Sequence, residues 1–146
     1  MVFLAEIHQG DAFILGGNTI MKRLVHQDIY GMSRVGFLGD LEVYVNTDDA
    51  GNIPHFHLRD PADWDKFHTC IKICAPEYFL YEGKEDILNS RQRKELQNFM
   101  VSEVSIKKYS DKFKNNWELV CFLWDTNNSS TTIPEDTTQP DYTQLK

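Results

Sequence analysis

The spacing of the apolar residues changes along this chain, from every second residue before about residue 75 to every third or fourth residue after residue 89. Leu41, Val43 and Val45 alternate with Glu42 and Tyr44, a period that is typical of a half-buried β-strand. The same alternation predicts two more strands, over His55–Arg59 and Phe67–Ala75. Three strands in sequence order predict a simple antiparallel sheet.

Two helices are expected after these strands. The first is predicted to begin at Asn89 or Ser90, which are good N-cap residues, and to run to about Val104. The second has apolar residues at positions i, i+4, i+7, i+8 and i+11, with Asp111 placed to cap it; they are Phe113, Trp117, Val120, Cys121 and Trp124. Strands followed by helices predict an α+β fold, a small curved antiparallel sheet with two C-terminal helices packed on one face.

A length of 146 residues fits one domain, which we expect over residues 1–125. Residues 39–104 carry the clearest strand and helix patterns. The preceding residues 1–38 contain two short apolar stretches that read as strands, Val2–Ile7 and Ala12–Leu15. This N-terminal part is either integral to the domain or an extension of a shorter one.

The C-terminal segment 126–146 differs in composition from the rest of the chain. It consists mainly of Thr, Asn, Ser, Pro and acidic residues, and its only sizeable apolar side chains are Ile133, Tyr142 and Leu145. Such a stretch buries too little apolar surface to offset its ordering entropy. We therefore expect a flexible acidic tail, with a docking or inhibitory peptide as the alternative.

The charge of the chain limits its partners and its location. Twenty-two acidic and fifteen basic residues give a net charge of −7 and a pI near 5.1, which argues against direct DNA binding through phosphate contacts. The apolar runs fall short of the ~20 residues of a membrane helix. Three cysteines are too few for a secreted disulfide framework. These features predict a cytoplasmic protein that does not bind a membrane.

Four histidine and cysteine residues are predicted to share one face of the sheet. His55 and His57 point the same way because residues i and i+2 lie on one face of a strand. Antiparallel pairing of the second and third predicted strands places His57 opposite or diagonal to His68, and His55 near Cys70. Directly opposite residues have Cβ atoms about 5 Å apart, so these side chains are close enough to share one ion.

Imidazole and thiolate groups at this separation predict a site for zinc or manganese. The candidate ligands are His55, His57, His68 and Cys70, and Asp60 or Asp63 is a candidate hydrogen-bonding partner of the ligands. Two other interpretations stay open. The histidines transfer protons or bind anions without a metal, or they are structural, because an imidazole that follows Pro54 can donate to a turn carbonyl or to the Asp48 and Asp49 carboxylates.

The order of these patterns also indicates a family. Residues 39–104 contain a Leu-Glu-Val-Tyr-Val strand, an Asn/Asp/Gly turn, the sequence Ile-Pro-His-Phe-His-Leu, an isoleucine-rich strand, a Gly turn and an Arg-Gln-Arg-Lys-Glu-Leu helix. This order resembles the domain of unknown function 4160 family, small bacterial proteins with a Pro-His-x-His-Val motif. The motif falls on Pro54, His55, Phe56 and His57, with Leu58 where the family usually has Val.

The resemblance implies a gene pair with a second small protein, similar to a toxin–antitoxin module, and no settled enzymatic activity. It also leaves His68, Cys70 and the first ~30 residues outside the usual pattern of the family. We therefore expect a bacterial or phage-borne protein-interaction component of a toxin–antitoxin-like or related system, with a protein partner and with homodimerisation at an exposed sheet edge.

The alternative function is a metal-dependent hydrolase or nuclease that uses the His-x-His strand motif. Its metal ligands would be His55, His57 and His68, and Asp60 or Asp63 would be the general base.

Overall fold

The computed structural model describes residues 32–46, 53–63, 65–79, 86–128 and 131–146. Four antiparallel strands form one open sheet in the order β1-β2-β3-β4. Their bounds are Met32–Leu38 for β1, Leu41–Asn46 for β2, His55–Arg59 for β3 and His68–Lys72 for β4. The predicted α+β class is confirmed, and the three strands predicted from period two are present, the last one shorter than expected.

β1 is a strand that the sequence analysis did not predict. It pairs with β2, so residues 32–38 are part of the described sheet. A β-bulge at Val35 shifts the register between Arg34 and Gly36 and interrupts the alternation that would have marked the strand. Gly39 begins the turn to β2 with a φ of 60°, a conformation that favours glycine. The predicted strands Val2–Ile7 and Ala12–Leu15 lie outside the described residues.

Among the described residues, two α-helices follow the sheet, α1 over Ser90–Val101 and α2 over Asn116–Asn127, together with short 3-10 helices at Lys107–Tyr109 and Tyr142–Gln144. Asn89 caps α1 in a capping box with Gln92, and the helix ends before Val104. α2 is capped by Asn115, whose side chain accepts a hydrogen bond from the Glu118 N–H at 3.0 Å. The prediction of an Asp111 cap is therefore wrong. Neither described helix is long and apolar enough to cross a membrane.

The core lies between the helices and one face of the sheet. Most of its fully buried side chains come from β1, β2, β3, the end of β4 and both helices: Val35, Val43, Val45, Phe56, Leu58, Ile71, Leu96, Met100, Leu119, Val120 and Leu123. The core cluster also contains Leu88, Trp124 and two residues from the C-terminal segment. This packing agrees with the expected position of the helices.

The C-terminal segment is not a flexible tail over residues 131–146. Tyr142 is fully buried, its hydroxyl donates to the Ile73 carbonyl at 2.8 Å, and its N–H donates to Gln97 Oε1 at 2.8 Å. Leu145 is also part of the core. Two large apolar side chains thus anchor a segment whose composition is otherwise polar.

The second face of the sheet is polar but also buried. Glu42, His57 and Arg59 expose 1%, 2% and 6% of their surfaces, and His55 and Cys70 expose none. The prediction of a half-buried strand is therefore wrong for β2, and β3 is likewise buried on both faces. Buried polar side chains need partners, and their partners define the candidate site.

Candidate metal centre

Cross-strand pairing lines up the polar side chains of the second face in two rows. In one row, Tyr44 lies opposite His57, and His57 lies opposite Cys70. The neighbouring row contains Arg59 opposite His68. The predicted register is confirmed, because His57 is diagonal to His68 and His55 is diagonal to Cys70.

His57 is the centre of a set of short contacts. Its Nδ1 lies 3.2 Å from Cys70 Sγ and 3.1 Å from His68 Nε2. The Tyr44 hydroxyl in turn lies 3.3 Å from the same His68 nitrogen. The structure therefore brings together His57, His68 and Cys70, as the sequence predicts.

His55 approaches the centre with a defined tautomer. Its Nδ1 lies 2.8 Å from the Ile53 carbonyl oxygen, and because a carbonyl only accepts, Nδ1 carries the hydrogen. In the neutral imidazole, Nε2 then has the lone pair. The ring stacks on Phe79 with centroids 4.2 Å apart. A histidine that donates one ring N–H to a backbone carbonyl has the arrangement usual for metal ligands, although the same bond fits the structural interpretation.

Among the described residues, His55, His57 and Cys70 form a group in which the ligand atoms all lie within 4.8 Å of one another. In a tetrahedral zinc site, two nitrogen ligands are about 3.3 Å apart and a nitrogen and a sulfur about 3.5 Å apart. Side-chain movements that shorten the longest separation by at most about 1.5 Å would bring all three atoms to zinc. The donor set fits the metal.

Tyr44 and Arg59 hold the ring of His57 in place. The Tyr44 ring stacks on His57 with centroids 4.7 Å apart and planes 17° apart, and the Arg59 guanidinium lies 4.6 Å from the centroid of Tyr44. Glu42 binds Arg59 at 2.9 Å and Arg34 at 2.7 Å. A buried ion-pair cluster thus supports one side of the candidate centre.

The sequence analysis did not identify Tyr44, Glu42 or Arg59 as parts of the site. The alternation of the strands could have identified them. Glu42 and Tyr44 alternate with the core residues of β2, so they lie on the same face of the sheet as the paired residues His57 and Arg59. Polar residues that alternate along a strand are normally expected to face solvent, and this expectation does not hold for β2 and β3.

The sequence predicts that Asp60 or Asp63 is a hydrogen-bonding partner of the ligands or a general base. Asp60 Oδ1 accepts the N–H groups of Ala62 at 2.9 Å and Asp63 at 3.2 Å. Asp63 Oδ1 accepts the Asp65 N–H at 3.0 Å. These contacts shape the β3–β4 loop, and no described contact links either carboxylate to the histidines. Asp48 and Asp49 lie outside the described residues.

The cysteines differ in their surroundings. Cys70 is fully buried beside His57, whereas Cys74 is exposed. The described strand ends at Lys72, so the strand geometry that would hide Cys74 does not extend to it. Cys121 is partly buried on α2, and burial raises the pKa of its thiol to about 12.

Comparison with known proteins gives no family assignment. No family model, no curated protein and no solved structure matches this chain. The resemblance to the domain of unknown function 4160 family therefore stays a prediction from the sequence.

Proposed function

We propose that this chain is a zinc-binding protein in which His55, His57 and Cys70 hold the ion and connect β3 to β4. The observation that supports the proposal is the convergence of these three buried ligand atoms within 4.8 Å on adjacent strands. Two imidazoles and one thiolate are ligands that zinc accepts in tetrahedral sites. Cys70 would bind the ion as a thiolate, whose negative charge the ion would neutralise.

The donor set favours zinc over manganese, the other metal predicted from the sequence. Manganese is usually bound by carboxylates, carbonyls and water, whereas a thiolate selects softer metals. Cys70 is the softest donor of the group, and the described group contains no carboxylate. The same reasoning makes cobalt a suitable spectroscopic substitute for zinc.

A metal-dependent hydrolase remains a second candidate because three protein ligands leave one tetrahedral position for water. Two observations speak against it. The three ligands are almost completely buried, which hinders access of a nucleic-acid substrate, and the candidate base Asp60 is bonded within its own loop. A protein partner, a homodimer and a toxin–antitoxin-like role stay predictions, since no described contact identifies a partner.

The test is metal analysis of the purified full-length protein by inductively coupled plasma mass spectrometry. We expect about one zinc per chain, and loss of that zinc in His55→Ala/His57→Ala and in Cys70→Ser. Cys74→Ser is the matched control, because Cys74 is exposed and outside the group. Its zinc content should equal that of the wild type.

Cobalt reconstitution tests the ligand identity. A thiolate–cobalt charge-transfer band should appear in the wild type and in Cys74→Ser, and should be absent in Cys70→Ser. A wild-type protein that binds neither zinc nor cobalt while its circular dichroism shows a native fold would disprove the proposal. The histidines would then be structural.

A further inference from the structure

One ring nitrogen of His57 and one of His68 each make two short polar contacts. His57 Nδ1 contacts both Cys70 Sγ and His68 Nε2, at 3.2 and 3.1 Å. His68 Nε2 in turn contacts both His57 Nδ1 and the Tyr44 hydroxyl, the latter at 3.3 Å. A ring nitrogen offers either one hydrogen or one lone pair, so neither nitrogen satisfies both of its contacts at once.

A cation at this position would resolve the conflict. It would accept a lone pair from each of the two imidazoles and from the thiolate, with no shared hydrogen needed. The observed separations of 3.1 and 3.2 Å are within about 0.4 Å of the edges of a tetrahedral zinc site. His68 is thus as close to His57 as a second ligand of the same ion would be, although it is not a member of the His55–His57–Cys70 group.

We propose that His68 supplies the fourth ligand of the zinc centre, and that the Tyr44 hydroxyl competes with the metal for His68 Nε2. The inference rests on the proposed zinc binding. It turns a three-ligand site with an open position into a closed site of three histidines and one cysteine, and coordination by four protein ligands is typical of a structural zinc. A water-activating role would then lack a coordination position.

The neighbouring contacts agree with this assignment. Coordination through His57 Nδ1 requires a hydrogen on His57 Nε2, which lies 3.4 Å from the side-chain amide of Asn46. The amide accepts that hydrogen through its oxygen when its two terminal atoms are exchanged. The backbone of His68 is held independently of its ring, because its N–H donates to Asp86 Oδ2 at 2.8 Å.

The first experiment counts the histidines on the metal by zinc X-ray absorption on the zinc-loaded full-length protein. Outer-shell scattering from imidazole should show three histidines in the wild type and two in His68→Ala, and the first shell should contain one sulfur in both proteins. His68→Gln serves as a second variant if the alanine variant does not fold. Two histidines in the zinc-loaded wild type would overturn the fourth-ligand assignment and leave the proposed zinc binding intact, whereas absence of zinc would disprove the latter.

The second experiment probes for an open position in the cobalt-substituted protein. Azide should leave the wild-type spectrum unchanged and should alter the spectrum of His68→Ala, in which solvent replaces the fourth ligand. We also expect the zinc Kd of His68→Ala to rise at least about tenfold. A wild-type spectrum that responds to azide would overturn the closed site.

Tyr44→Phe tests the competition. The substitution keeps the ring between His57 and Arg59 and removes the hydroxyl, so the zinc Kd should fall about two- to tenfold, the equivalent of one net hydrogen bond. Tyr78→Phe is the matched control, since the Tyr78 hydroxyl accepts from the Leu88 N–H at 2.8 Å and should not affect zinc. An unchanged or higher Kd in Tyr44→Phe would overturn the competition.

Discussion

The imidazole of His57 lies directly opposite the thiol of Cys70 across the β3–β4 ladder, with Nδ1 3.2 Å from Sγ. Directly opposite residues on one face are the closest cross-strand neighbours, and here both are buried. Buried polar side chains need partners, and these two side chains contact each other. The pair therefore connects the sheet register, which follows from the sequence, to the chemistry proposed for the centre.

Zinc should stabilise the folded protein through this pair. A ligand at 100 times its Kd stabilises the native state by about 2.7 kcal/mol, so saturating zinc should raise the Tm of the metal-stripped protein by roughly 5–10 °C. Differential scanning calorimetry after chelator treatment, with and without zinc, measures the shift.

The same titration on two cysteine variants serves as its control. Cys74→Ser should show the wild-type shift and Cys70→Ser should show none. An equal shift in Cys70→Ser would mean that the stabilising zinc binds elsewhere.

The Arg34–Glu42–Arg59 cluster should be essential for stability. Glu42 is 1% exposed and accepts from both guanidinium groups, so its loss leaves Arg59 charged and buried beside Tyr44. Removing one partner of a buried ion pair costs about 3–5 kcal/mol, and Glu42→Ala should lower the free energy of unfolding by about this amount. Urea denaturation of the variant and the wild type gives the difference.

Glu77→Ala is the comparison for Glu42→Ala. Glu77 also accepts from a cation, Lys72 at 2.7 Å, but its pair is exposed, and such pairs contribute at most about 1 kcal/mol. If Glu42→Ala destabilises no more than Glu77→Ala, the buried cluster contributes no more to the free energy of unfolding than an exposed ion pair does.

The sequence predicts the fold class better than it predicts burial. The alternation of apolar residues identifies β2, β3 and β4, in which Val43, Leu58 and Ile71 face the core. This alternation is present within each strand and can be read without knowledge of its neighbours. The register also follows, since core residues must pair with core residues. Burial of the second face depends on contacts between distant parts of the chain, such as that of Glu42 with Arg59. The residues next to each of them in the sequence do not predict such contacts.

Two further differences have local causes. The bulge at Val35 adds one residue to β1. The apolar residues of this strand therefore do not alternate regularly, and the sequence pattern does not predict it. The C-terminal segment has a disordered composition on average, yet Tyr142 and Leu145 reach the core. Average composition therefore does not identify a short segment that is anchored by single large side chains.

Tyr142 should anchor the C-terminal segment. Tyr142→Ala removes a fully buried aromatic ring and should cost about 3–5 kcal/mol. Tyr142→Phe keeps the ring, removes the hydroxyl that donates to the Ile73 carbonyl and should cost about 1 kcal/mol. Urea denaturation measures both values, and limited proteolysis should cleave the segment sooner in Tyr142→Ala. Equal protease resistance of Tyr142→Ala and the wild type would contradict the anchoring role.

Cys121 should make stability fall at alkaline pH. Burial raises the pKa of its thiol from 9.0 to about 12, so the unfolded chain loses this proton near pH 9 while the folded chain keeps it. Unfolding therefore releases a proton between these two pH values, and stability falls as the pH rises through them. Between pH 8 and pH 10 the loss should reach at most about 1 kcal/mol, since the side chain is partly solvated.

Urea denaturation of wild type and Cys121→Ala at pH 8 and pH 10 isolates the contribution of Cys121, because all other titrating groups are common to both proteins. A wild type that loses no more stability than Cys121→Ala over this interval would show that the thiol titrates normally in the folded protein.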